Sequence, residues 1–211
     1  MTLLEVRNVW KYFGGLAALK NVSFRYDGGI LGIIGPNGAG KTTLFNVISG
    51  VYRPSKGRVF FDGRDITGLK PHKICKLGIV RTFQIPRPFS NETVLENVVA
   101  ARLFGGPGTI SISEAEEETM EILEFIGLRE KANVVAKSLN IHERKRLEIG
   151  RCLATKPKIM MLDEVASGLT PAEVDEMVEL IKKINRTGIN IIWIEHVMRA
   201  IMRAAERIIV L

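Results

Sequence analysis

Gly35-Pro36-Asn37-Gly38-Ala39-Gly40-Lys41-Thr42-Thr43 decides the fold. It fits the pattern G-x-x-x-x-G-K-[ST], with Gly35, Gly40, Lys41 and Thr42 in the fixed places. The apolar run Ile30-Leu31-Gly32-Ile33-Ile34 precedes it, and an amphipathic segment from Leu44 to Ser49 follows. Strand, loop and helix in that order are what the pattern needs to hold phosphate. The glycines let backbone N–H groups wrap phosphate oxygens, and a helix opening near Lys41 turns its positive end to the same anion. Lys41 adds a mobile cation, and the Thr42 hydroxyl can ligate Mg²⁺. A glycine-rich turn without a ligand is the bland alternative, and the flanking strand and helix count against it. The stretch predicts binding of a nucleoside triphosphate.

The chain has 211 residues, enough for a full core in one domain or in one domain with an inserted subdomain. Its hydrophobic content of 46% and charged content of 25% suit a soluble globular protein. No apolar run approaches the ~18 residues a membrane span needs. Glu5 comes too early for the apolar core of a signal peptide. Cys75 and Cys152 are distant in sequence and outside any metal spacing, so reduced cytosolic thiols are expected. The net charge of +7 admits nucleic-acid binding, docking at an anionic membrane face, or a solvated basic surface. Its basic residues are scattered and not interleaved with aromatics, so no nucleic-acid partner is expected.

From Leu4 the chain alternates apolar and polar residues to Trp10, as a half-buried strand does, and Lys11-Tyr12-Phe13-Gly14-Gly15 breaks the pattern. Strands are predicted at 21–26, 58–62, 78–83, 158–162, 190–195 and 207–211. The phosphate-loop helix should end at Ser49-Gly50. Further helices are predicted from Thr93 to Leu103, from Ser113 with Glu116 as its capping-box partner, from Asn140 with Glu143, and from Thr170-Pro171 with Glu173. Strands and helices alternate near both ends, while 84–152 is mostly helical. The expected fold is α/β: a mostly parallel core sheet with helices on both faces and a helical insertion.

About 120 residues beyond the phosphate loop, Ile159-Met-Met-Leu-Asp163-Glu164 delivers two carboxylates at the end of an apolar strand. An open parallel sheet places its ligand groups there. Asp163 would hold Mg²⁺, largely through water, and Glu164 would polarise an attacking water as general base. An acidic strand end that merely caps a turn is the alternative.

The phosphate loop, Gln84 after the 78–83 strand, Leu162-Asp163-Glu164, and a strand followed by His196 together resemble the ATP-binding subunit of an ABC transporter. Gly78-Ile-Val-Arg-Thr-Phe-Gln84, Thr93-Val-Leu-Glu-Asn97, Arg146-Leu-Glu-Ile-Gly-Arg151 and Gly168-Leu-Thr-Pro-Ala-Glu173 look most like the ATPases of branched-chain amino-acid importers. The resemblance runs nearly end to end and implies one P-loop NTPase domain over 1–211. Its ATP-binding core would comprise 1–83 and 153–211 with a small N-terminal antiparallel β subdomain, and its helical subdomain would be 84–152. It implies ATP and Mg²⁺ as cofactors. Phe13, or else Tyr12, would stack on adenine. Gln84 would ligate metal and water with Thr42 and Asp163, and His196 would contact the γ-phosphate. Residues 85–89 would lie near a groove that receives a permease helix. The partners implied are a second ATPase subunit, membrane permeases and, indirectly, an extracytoplasmic binding protein. The location implied is peripheral, on the cytoplasmic face of the membrane.

Departures from that family are visible. Its signature, resembling Leu-Ser-x-Gly-Gln, reads Leu139-Asn140-Ile141-His142-Glu143 here. That helix start should meet the γ-phosphate of ATP held by a partner subunit. Asn140 can still cap the helix. His142 brings a side chain where close approach is needed, and Glu143 a negative charge, so the site completed by this signature is expected to be weakened. An ATP-binding regulatory subunit with weak hydrolysis is the competing reading. Val165 replaces the usual proline. The family continues past a strand like 207–211, so the C-terminal part of its fold is expected to be missing.

Overall fold

In the computed structural model, which describes residues 2–211, two extended segments of alternating burial open the chain. They are β1 (Leu4–Phe13) and β2 (Leu16–Tyr26), paired antiparallel. Gly14 and Gly15 make the two-residue turn between them, with Gly14 at φ 55°. The sequence pattern ends at Trp10 because β1 slips register between Val6 and Val9 and again around Lys11, which scrambles the alternation while the strand continues. For the same reason β2 begins at Leu16, five residues before its expected start. The strand β3 (Ile30–Ile34) follows, then α1 (Lys41–Ile48), which ends at Ser49 with Gly50 at φ 77°, as expected. Next come β4 (Lys56–Phe61) and the two-residue β5 (Arg64–Asp65), completing a four-stranded antiparallel sheet of order β2-β1-β4-β5.

The helix α2 (Pro71–Leu77) was not legible from its short, basic sequence. It leads into β6 (Ile79–Arg81), shorter than the expected 78–83. Three helices follow: α3 (Val94–Gly105), α4 (Ile112–Phe125) and α5 (Ile141–Ala154). The cap of α4 is Ser111 with Glu114, not Ser113 with Glu116. Both pairs satisfy the same rule, and the earlier one lets Ala115, Thr119 and Leu123 bury one stripe at spacing four. The chain closes with β7 (Ile159–Asp163), α6 (Pro171–Arg186), β8 (Asn190–Ile194), α7 (Met198–Ala204) and β9 (Arg207–Val210). The second sheet is parallel, of order β6-β7-β8-β3-β9.

Side chains of the parallel strands divide by parity between two cores. Leu31, Ile33, Ile159, Met161, Ile192 and Ile194 join α1, α2 and the antiparallel sheet. Ile30, Met160, Leu162, Ile191 and Trp193 join α5, α6 and α7. One face therefore carries the antiparallel sheet beside its helices, the expected N-terminal β subdomain. The sheet is covered on both sides, so its strands read as unbroken apolar runs. Since β3, β6, β7 and β8 are parallel, their C-terminal ends meet along one edge. No helix among the described residues is long and apolar enough to cross a membrane.

Trp193 is fully buried at the centre of this arrangement. Trp193→Ala should lower unfolding stability by about 3–5 kcal/mol, read as a shifted denaturation midpoint at unchanged slope.

Candidate functional site

The loop after β3 owes its shape to glycine. Gly40 sits at φ 95°, and a Cβ there would stand 2.4 Å from the Ala18 carbonyl. Gly38, at φ 83°, has open space where a Cβ would be. Whereas α3, α4, α5 and α6 each begin with a capping box, α1 begins at Gly40 with no side-chain cap. Its first N–H groups are left for an anion. The Lys41 ammonium curls over the loop and donates to the Gly35 and Pro36 carbonyls at 2.7 and 2.9 Å.

The neighbouring strands bring the other expected residues to the same edge. A cleft of ≈ 370 Å³ is lined by Asn37, Gly38, Gly40, Lys41, Thr42, Thr43, Gln84, Glu164 and His196. Gln84 Nε2 donates to Glu164 Oε2 at 2.8 Å. His196 Nε2 lies 2.8 Å from Glu164 Oε1. Two side chains from separate strand ends thus converge on one carboxylate. Asp163, 1% exposed, is paired through Oδ2 with Arg81 Nη2 at 3.1 Å. Burial pushes its carboxyl up to about 6, against the pull of Arg81. Its other oxygen, Oδ1, is buried without a hydrogen-bond partner. That orphan acceptor, with the Thr42 hydroxyl and the Gln84 amide on the same edge, is a hard-oxygen set suited to Mg²⁺.

The Arg81–Asp163 pair was not legible in the sequence, where Arg81 stood only as part of a motif. Its guanidinium also donates to Asn46 Oδ1 of α1 at 2.5 Å, tying the phosphate-loop helix to β6 and β7. Leu16, Ala17 and Ala18 line the cleft as well, and their plain apolar character carried no signal. Neither aromatic proposed for adenine is on the cleft wall. Phe13 packs edge-on against Tyr52, centroids 5.2 Å apart, and Tyr12 stacks on Trp10 at 6.0 Å.

At the start of α5, Asn140 caps the helix and Glu143 completes the capping box. Glu143 also pairs with Lys131, so its charge is matched within the chain. The His142 ring turns toward α6, 3.6 Å from Glu173, and accepts from Arg146 Nε at 2.9 Å. Burial and the Arg146 guanidinium hold its imidazole below the ordinary value. The Ile141 side chain beside it is half exposed.

A second groove of ≈ 300 Å³ adjoins the Gln84 segment. It is lined in part by Arg81, Phe83, Arg87, Glu148, Arg151, Cys75 and Cys152, so the two sequence-distant cysteines share one surface. Glu148 Oε1 accepts the Phe83 N–H at 2.9 Å, while Oε2 is buried and unpartnered. Beyond residues 84–88, of which Gln84, Ile85 and Arg87 are exposed, the fully buried Asn97 exchanges hydrogen bonds with both the N–H and the carbonyl of Phe89, at 2.8 and 3.0 Å.

Three comparisons bear on this arrangement. The family model described as ABC transporter matches residues 19–167. The high-affinity branched-chain amino acid transport ATP-binding protein BraF of Pseudomonas aeruginosa is 40% identical, over 99% of this chain and 88% of that protein. The ADP conformation of MJ1267, an ATP-binding cassette of an ABC transporter, superposes with TM-score 0.91 at 35% identity, over 100% of this chain and 87% of that one. A dimeric post-hydrolysis state of the cassette MJ0796, bound to ADP and Pi, gives TM-score 0.89 at 29% identity, over 99% and 94%.

Burial pushes the Glu148 carboxyl from its ordinary 4.5 up to about 7. The folded state therefore holds this proton longer than the unfolded state, and stability falls as pH rises between those values. Glu148→Gln removes that loss while keeping an acceptor for Phe83. The variant should match wild type below about pH 4.5 and exceed it by roughly 1–3 kcal/mol above about pH 7, measured by denaturation across pH.

Proposed function

The chain belongs to the ABC transporter family, and on that premise we propose that it is the ATP-hydrolysing subunit of an importer whose cargo is branched-chain amino acids. The observation that carries the hydrolytic part is the convergence of Gln84 and His196 on Glu164, each at 2.8 Å, beside the phosphate loop. The name of the BraF relative supports the cargo.

The phosphate loop and the uncapped start of α1 bind the triphosphate, and Lys41 exchanges its loop carbonyls for phosphate oxygens. Thr42, Gln84 and Asp163 would hold Mg²⁺, which supplies charge neutralisation at the β- and γ-phosphates. Glu164 accepts a proton from water as that water attacks the γ-phosphorus and the bond to the β-phosphate oxygen breaks. To do so it gives up one of the two side chains it now contacts. His196, freed toward the γ-phosphate, and Lys41 stabilise the charge that develops on the transferring group. Positioning and charge are what this chemistry requires, and the cleft supplies both.

Two such subunits would close face to face, each α5 N-terminus completing the other's site, as the dimeric ADP- and Pi-bound cassette supports. A permease helix would lie in the groove beside Phe83 and Arg87, with the subunit on the cytoplasmic membrane face, and its movement would reach Gln84 through that segment. An extracytoplasmic binding protein would select the cargo upstream. The regulatory reading is favoured by one observation, His142 and Glu143 standing where the family's signature has glycine and glutamine.

Glu164→Gln should lower ATP turnover by about 10²–10⁴-fold while ATP binding persists, measured as phosphate release and nucleotide titration. Turnover that survives this change would sink the hydrolytic reading. In a heterodimer with its partner ATPase, Lys41→Ala in this chain alone should remove most of the activity. Activity left largely intact would mean that the site completed by this signature carries the turnover.

A further inference from the structure

Glu195, the residue before His196, is buried to 1% exposure and points back into the chain. Its Oε1 accepts the N–H groups of His196 at 2.9 Å and Val197 at 3.3 Å. Its Oε2 accepts the N–H of Ala166 at 2.9 Å. Ala166 lies in the turn that leaves Glu164, and Glu164 itself sits at φ 51°. A non-glycine residue keeps that conformation only where its surroundings over-determine it. Here the Glu164 N–H donates to the Ile194 carbonyl at 2.9 Å. Its carbonyl accepts from Lys145 Nζ at 3.2 Å, and the same ammonium reaches the Ser167 carbonyl. Lys145 is 4% exposed and projects from α5.

The turn 164–167 is thus gripped by an ammonium on its carbonyls and by a carboxylate on its amide. That carboxylate also holds the turn carrying His196. An apolar pair could fill this space with less desolvation cost, so packing alone gives no reason for two buried charges, whereas directed hydrogen bonds do. We propose that Lys145 and Glu195 are positioning residues: together they lock the backbone turn of Glu164 to that of His196 and seat both on α5. The proposal rests on the reading of Glu164 and His196 as hydrolytic residues. It gives α5 a second role, since the helix whose start faces a partner's phosphate also sets the geometry of the base in its own cleft.

The test uses the full-length chain and the variants Glu195→Gln, Lys145→Met and Lys145→Arg. Glu195→Gln keeps the shape but turns a donor toward one of the three N–H groups. It should lower kcat by about 10–100-fold with KM for ATP changed less than about twofold. Exchange of the Ala166, His196 and Val197 amide protons should quicken by about tenfold or more, with the global unfolding midpoint retained. Lys145→Met should lower kcat similarly, and Lys145→Arg should restore most of it. Wild-type kcat in both Glu195→Gln and Lys145→Met would overturn the proposal. So would a loss of kcat accompanied by an equal fall in unfolding midpoint and uniformly faster exchange, the mark of a merely structural pair. Turnover that survives Glu164→Gln would instead sink the hydrolytic reading, and unchanged exchange at the three amides in Glu195→Gln would then still reject the clamp.

Discussion

A carboxylate at the end of a fully buried strand has to be compensated by something brought from elsewhere in the fold. Asp163 is such a group, and Arg81 answers it from the adjacent strand. The same need recurs along the whole sheet edge. Glu164 is met by Gln84 and His196, Glu195 by three backbone amides, and Lys145 by two carbonyls. Each buried charge would be costly alone, and each has at least one partner held on a different part of the chain. The consequence is that α1, α5 and the ends of β6, β7 and β8 are joined by polar contacts at the one place where parallel strands leave a crevice. The catalytic geometry and the cohesion of that edge are one property.

Much of this was legible locally. The phosphate loop, the caps at Thr93, Asn140 and Thr170, and the apolar strand ending in Asp163-Glu164 are short-range patterns with a short-range cause. They survive because hydrogen bonds within four residues, or a strand's own burial, decide them. The meeting of Gln84, Glu164 and His196 came from a resemblance, since nothing within their own windows announces it. The Arg81–Asp163 pair, the Lys145 contacts and the bonds of Glu195 span tens of residues and use side-chain types that are common anywhere. Only the sheet order puts them side by side.

The places where the sequence misled are equally physical. Ser111 and Ser113 are each followed at three residues by a glutamate, so local chemistry alone does not choose between them, and packing of the α4 stripe selects the first. Register slips in β1 erase the alternation that would have marked its second half. At the signature, His142 and Glu143 are engaged by Arg146, the start of α6, Lys131 and the helix cap, contacts that residue types alone do not announce.

The segment from Gln84 to Pro88 is a tether anchored at both ends. Glu148 holds it at the Phe83 amide, and Asn97 holds it at both polar groups of Phe89. Between these two anchors Arg151 donates to the Arg87 carbonyl at 2.9 Å, a third tie. Glu148 and Arg151 both come from α5 and Asn97 from α3, so the backbone that presents Gln84 to Glu164 takes its position from the helices beneath it.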